Sequence, residues 1–335
     1  EQIQAPAAWE ETRGDPSIRI AVIDSGFDTR HPEFTGKVLA TYNVLNRSSN
    51  VFGPRETMEH GTHVAAIAAG NADNGQGVCG VCPDCSLILI RAADDSGWFG
   101  DAMILDGLQF AMQQGARVIN LSVGMSFQDL EAMLLQMSPS EQEAAMMEYL
   151  AMTDPVARSW EAIFSRLADQ GIIVVQAAGN EAIPAALDPM KRVSSTIIVG
   201  ATNPAADRAG FSNYGEGVVL SAPGEHVYSA VPGGFTFMDG TSMASPAVAG
   251  AVGWLLSSQP SLDLRSVIQY FSATGLPVRE LSAEDYVGPI IQLGQEATPE
   301  FDFPYEPAPQ PEQPVEICVC GDELADLLEQ VPPEP

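Results

Sequence analysis

Asp239-Gly240-Thr241-Ser242-Met243-Ala244-Ser245-Pro246 leads into Ala247–Leu256, a run of small and apolar residues without a charge. Such a run reads as a buried helix, which places Ser242 at its N-terminus. Unpaired backbone N–H groups and the positive end of the helix dipole favour a negative oxygen there, as acyl transfer requires. The same residues also suit a plain helix cap, with Thr241 or Ser242 accepting from the first N–H groups. Only the partners of Ser242 separate the two readings.

Three further segments supply them. Ile18-Arg19-Ile20-Ala21-Val22-Ile23 reads as a buried strand that runs into Asp24-Ser25-Gly26. Glu59-His60-Gly61-Thr62-His63-Val64-Ala65 brings two histidines to the head of another small-residue helix, and Val174–Ala178 is a strand that ends at Gly179-Asn180. Asp, His, Asn and Ser at strand ends and helix starts are the parts of a serine nucleophile with an oxyanion hole, placed where an open α/β sheet carries its sites. Ser242 lacks the Gly-x-Ser-x-Gly setting of esterase-type α/β hydrolases. His60 and His63 also lack the spacing of four and the intervening glutamate of a zinc pair.

Asp24-Ser25-Gly26, His60-Gly61-Thr62-His63-Val64-Ala65, Ala178-Gly179-Asn180 and Gly240-Thr241-Ser242-Met243-Ala244-Ser245-Pro246 resemble the signatures of the subtilisin family of serine proteases, in that family's order. The resemblance covers roughly residues 2–296. It implies a doubly wound, mostly parallel α/β sheet with helices on both faces. It also implies an endopeptidase acting on proteins or peptides through an acyl-enzyme, with no cofactor needed for the chemistry. By resemblance Asp24, His60 and Ser242 form the triad, Asn180 lies in the oxyanion hole and His63 is packed structure. Asp28, out in the loop, rivals Asp24, which directly ends the strand. Asp94–Gly100 matches the edge that receives substrate as an added strand, with Gly97 in it and Phe99 walling a pocket for the fourth residue before the cut. Ser122-Val123-Gly124 and Ala177-Ala178-Gly179 match the two sides of the primary specificity pocket. They offer no evident carboxylate, so an apolar or aromatic residue before the cut is expected unless Asp188 folds inward. Met125 stands where the family often has glycine.

In subtilisin relatives a loop at the place of Asn71–Gly77 binds calcium, and Glu33 and Asp73 are the carboxylates available for a structural calcium here. Glu33 replaces the usual aspartate, and an ordinary Asn-Gly turn accounts for the loop as well. A signal segment and an inhibitory propeptide usually precede such enzymes. Glu1-Gln2-Ile3-Gln4-Ala5-Pro6 has neither a basic start nor an apolar core, so the chain looks like a processed, secreted form. A propeptide or protein inhibitor is a further expected partner. The same residues would also serve a peptide ligase or cyclase, or a silent binding scaffold. Product analysis with a competing amine separates the first, and the presence of every catalytic residue type argues against the second.

The 335 residues carry 44 acidic and 15 basic side chains, a formal charge of -29 that repels nucleic acid and anionic lipid. Only Lys37 and Lys191 are lysines. No apolar run is long enough to cross a membrane. Residues 1–296 read as the catalytic domain. Within it residues 125–153 form a methionine-rich insertion whose Ser138-Pro139-Ser140-Glu141 is a capping box, predicting a helix to about Met152 and a second one from Val156. The methionines suit either an adaptable surface or core filling. Residues 297–335 read as a proline- and glutamate-rich linker with a short tail carrying Cys318 and Cys320. Five cysteines leave one over, and Cys79 has the apolar setting of a buried thiol. Either Cys82 pairs with Cys85 and Cys318 with Cys320, or the tail crosses to the loop. Strain in a Cys-x-Cys bridge favours at least one long-range link.

Overall fold

The structure, a computed structural model, describes residues 2–124, 127, 137–279 and 285–295. The chain divides at Phe303 and Pro304, and every described residue lies in the first unit. The tail cysteines and most of residues 125–136 lie outside the described residues, as does the expected boundary at 296/297.

Seven strands form one sheet: β1 (Arg19–Asp24), β2 (Val38–Asn43), β3 (Ser86–Arg91), β4 (Val118–Leu121), β5 (Ile173–Ala177), β6 (Ile197–Thr202) and β7 (Val218–Pro223). Their order is β2-β3-β1-β4-β5-β6-β7, and every pairing is parallel. β3, β4, β5 and β6 are buried at every residue, because helices cover both faces of a parallel sheet and leave no polar side to alternate with. The half-exposed edge strand β2 carries little of that signal and is the sheet strand that the sequence pattern misses. At the other edge Ile290 bridges Ser221, so β7 does not end the sheet as an open template. β8 (Val227–Val231) and β9 (Gly234–Met238) form an antiparallel hairpin turned at Pro232-Gly233.

The helices that frame the sheet are α1 (Arg55–Ala69), α2 (Asp101–Gln113), α3 (Pro139–Asp169), α4 (Thr241–Ser258) and α5 (Leu264–Thr274). α4 is apolar all round and buried from Met243 to Leu256, as a helix crossing the core must be. α1 starts at Arg55, so His60 stands in its second turn rather than at its head.

α3 also differs from expectation. The Glu141 carboxylate accepts the Ser138 N–H at 2.8 Å, as the capping box predicts, but the helix does not break at Asp154-Pro155. Pro155 takes a donor from the Ala151 carbonyl. Neighbouring carbonyls gain side-chain donors instead: Thr153 donates to Tyr149 O at 2.8 Å, and Arg192 donates to Leu150 O at 2.9 Å and to the Thr153 hydroxyl at 2.7 Å. Arg192 thus braces the turn before the proline from outside the helix, which continues through Pro155.

Candidate active site

β1 lies between β3 and β4, where the winding of the sheet reverses, and its last residue is Asp24. Asp24 is fully buried, and its carboxylate oxygens lie 2.8 and 3.0 Å from His60 Nδ1. The Ser25 N–H donates to the same carboxylate at 2.6 Å. Gly61 makes this approach possible, since a Cβ there would sit 2.3 Å from Gly26 O and 3.1 Å from Asp24 Oδ1. Asp24 fixes the tautomer, with Nδ1–H donating and the Nε2 lone pair turned away from the carboxylate. Burial pulls the imidazole down, but the charge of Asp24 and its hydrogen bond outweigh that, so His60 titrates above its ordinary value. Asp28 does not share this contact, because its carboxylate takes Arg30 at 3.1 Å.

Ser242 is the second residue of α4, after Gly240 as N-cap. Pro246 has no N–H for the Ser242 carbonyl four residues back, and the Ser122 hydroxyl donates to that oxygen instead, at 3.1 Å. Behind it runs a buried relay in which Ser245 donates to Asn120 at 2.8 Å and Asn120 donates to Ser122 at 3.0 Å. Sequence reading missed Asn120 and Ser245. Their signal was a polar residue inside the apolar strand Val118–Leu121.

Asn180 comes to the same helix start. Its Oδ1 accepts from the Thr241 N–H at 2.8 Å and from the Thr241 hydroxyl at 3.0 Å, which leaves Nδ2 as the outward donor. Gly179 has φ of 109°, and a Cβ on it would meet Asn213 Nδ2 at 2.2 Å, so the turn that delivers Asn180 needs glycine. Ala178 is buried, with its carbonyl accepting from Asn213 at 3.2 Å.

Of the expected substrate residues, Gly97, Phe99, Val123 and Gly124 line one cavity. Gly97, at φ of 85°, closes a tight turn in which Asp94 N–H donates to Trp98 O at 3.1 Å, and Phe99 bridges Ala93. Val123 and Gly124 line a cavity of about 690 Å³ together with Trp98, Phe99, Tyr149 and Trp160. The last two belong to α3, so the helix that begins in the insertion walls this cavity. Met147 and Met152 of the same helix are exposed rather than core. Asp188 is buried beside Gly124, and its Oδ1 accepts the Met190 N–H at 2.9 Å.

His63 is fully buried, with Nε2 3.2 Å from Thr236 O on β9, and burial pushes it down to about 4. Glu33 and Asp73 do not converge. Glu33 is buried and accepts from Asn74 Nδ2 at 3.0 Å and from the Val78 N–H at 3.3 Å, whereas exposed Asp73 pairs with Arg13. The two carboxylates expected to share a calcium therefore do not meet at one point. Among the described residues no cluster of three His, Cys, Asp or Glu side chains forms a metal site. Cys82 and Cys85 form a disulfide, which removes both from any bridge to the tail, and Cys79 is free.

With the geometry in place, comparison with known proteins gives the family. The description of the subtilase family (Peptidase S8) matches residues 15–281. The chain is similar to a thermophilic serine proteinase of Bacillus sp. strain AK1, 34% identical over 264 residues, which span 78% of this chain and 58% of that protein. It is also similar to thermitase of Thermoactinomyces vulgaris, 32% identical over 271 residues, covering 80% of this chain and 85% of thermitase. A crystal structure of a cold-adapted subtilisin-like serine proteinase shares the fold, with a TM-score of 0.64 at 23% identity over 84% of this chain and 91% of the other. The chain belongs to the subtilase family.

Proposed function

We propose that this chain is a secreted serine endopeptidase in which Ser242 attacks the peptide carbonyl and His60 takes its proton through Nε2. The observation that carries the reading is the 2.8 Å contact between His60 Nδ1 and buried Asp24, and Ser242 at the start of a buried helix supplies the nucleophile. Asp24 holds the imidazole in the tautomer that leaves Nε2 basic and stabilises the cation that forms. Asn180 Nδ2, directed by Thr241, and the Ser242 N–H are the donors for the oxyanion. His60 then gives its proton to the leaving amine, and water repeats the sequence on the acyl-enzyme. No step needs a metal or a redox cofactor.

The substrate lies as a strand between Gly97–Phe99 and Ser122–Gly124, with the residue before the cut entering between Ser122–Gly124 and Ala178–Gly179. Those walls are mostly apolar and favour an apolar or aromatic side chain, while Asp188, one oxygen of which is held by the Met190 N–H, also lines the cavity and would tolerate a basic one. Secretion is supported by the disulfide of Cys82 and Cys85, which persists in oxidising compartments. No described helix is long and apolar enough to cross a membrane.

The test is labelling by a serine-reactive phosphonate alongside hydrolysis of an unfolded protein. Wild type is labelled and active, and Ser242→Ala is neither. Labelling that survives in Ser242→Ala would overturn the assignment.

A further inference from the structure

Lys191 is one of the two lysines in 335 residues and is 2% exposed. An ammonium is strongly hydrated and is rarely buried without partners. Here Nζ donates to Val123 O at 3.0 Å and to Gln176 Oε1 at 2.9 Å. Gln176 is itself fully buried and donates to Thr196 at 2.9 Å, so its Oε1 is directed towards Lys191. Burial pulls the Lys191 ammonium below its ordinary value, and the charges of Asp188 and Glu181 pull it back.

These partners stand at a particular place in the sheet. β4 and β5 pair from Val118 with Ile173 to Leu121 with Gln176, and the ladder ends there. Beyond that pair the two chains part into Ser122-Val123-Gly124 and Ala177-Ala178-Gly179, the two walls of the proposed substrate cleft. No ladder bond fixes their separation. Ser122 anchors the first wall to Ser242, and Asn213 anchors the second at Ala178. Lys191 alone among these bonds reaches from one wall to the strand that feeds the other. In an extended segment successive carbonyls alternate in direction. Holding the Val123 carbonyl inward therefore turns those of Ser122 and Gly124 to the opposite side, where a substrate strand finds acceptors for its N–H groups.

We propose that Lys191 is a positioning residue for the substrate cleft, tying Val123 to Gln176 where the β4–β5 ladder stops and so setting the gap between the walls and the direction of the carbonyls that bind substrate. The inference rests on the proposed peptidase reading, and the test separates the two. Lys191→Met keeps the stem and removes the donors, and Lys191→Gln keeps one donor on a shorter stem should the first variant fail to fold. Each is compared with wild type on peptide hydrolysis, on discrimination between apolar side chains before the cut, and on labelling of Ser242 by a small phosphonate that carries no peptide. The expected result is a KM raised about tenfold, the scale of one lost charged hydrogen bond, with kcat little changed, weaker side-chain discrimination and an unaltered labelling rate. Wild-type KM and discrimination in either folded variant overturn the proposal. So does labelling that falls together with hydrolysis, because Lys191 would then act on the triad or the whole fold. Absence of labelling and hydrolysis in wild type would sink the peptidase reading instead.

Discussion

On α1, His60 meets the carboxylate at the end of β1, while His63, three residues on, meets the β8–β9 hairpin. One face supplies a buried negative charge, and His60 titrates above its ordinary value. The other supplies the Thr236 carbonyl and no charge, and burial pushes His63 down to about 4. The residue type is the same, so the difference lies in what the neighbouring strands bring. A charge within hydrogen-bond reach offsets desolvation, and a neutral acceptor does not. That raised value suits the part of general base proposed for His60. His63 stays neutral and packs.

The largest effect that can break this comparison comes from removing each ring. His60→Ala, like Ser242→Ala, is expected to lower kcat by about 10⁶-fold, the scale known for removal of the serine or histidine in subtilisin, with the thermal midpoint nearly unchanged. Full activity in His60→Ala would overturn the division of roles. Next comes Asn180→Ala, for which kcat should fall by about 10²- to 10³-fold with KM little changed, the scale found for the oxyanion-hole asparagine of subtilisin. An unchanged kcat would remove Asn180 from the oxyanion hole.

His63→Ala should do the reverse of His60→Ala. Emptying a fully buried site costs about 2–4 kcal/mol of stability by analogy with other large-to-small core changes, read in a denaturant melt. The folded variant, assayed cold, should keep kcat within a few-fold. A stable variant without activity would reassign His63 to the chemistry.

The finest discrimination is by pH. The proposed role makes neutral His60 the active form, so kcat/KM should fall as pH drops through a value above 6.5, the ordinary value of the group. His63 acts on stability. Between 6.5 and about 4 the unfolded chain binds a proton that the folded one refuses, so its contribution is complete above that window and is lost as pH falls through it. His63→Leu should therefore flatten the acid side of the stability curve. An equal slope in wild type and variant would show that His63 is not the group responsible.

The sequence by itself determined the strands β1 and β5, the buried helix that begins at Thr241, and the parallel sheet that the family resemblance implies. It could do so because a parallel sheet covered on both faces writes itself as unbroken apolar runs, and a site at strand ends falls where those runs stop. Edge strand β2, half exposed, leaves no such run. Tertiary structure alone decided matters that depend on groups far apart in the chain. α3 runs on through Pro155, where local propensity predicts a break, with Arg192 bonded to Leu150 and Thr153 in the turn before it. Arg13 draws Asp73 away from Glu33, and the loop turns N–H groups towards Glu33. Asn120 and Ser245 direct Ser122 to the carbonyl that Pro246 leaves without a donor. Lys191, unremarkable in sequence apart from its rarity, reaches Val123 and Gln176 across the end of a ladder. A buried polar group must find a partner wherever the fold places one, and no local pattern in the chain records that distance.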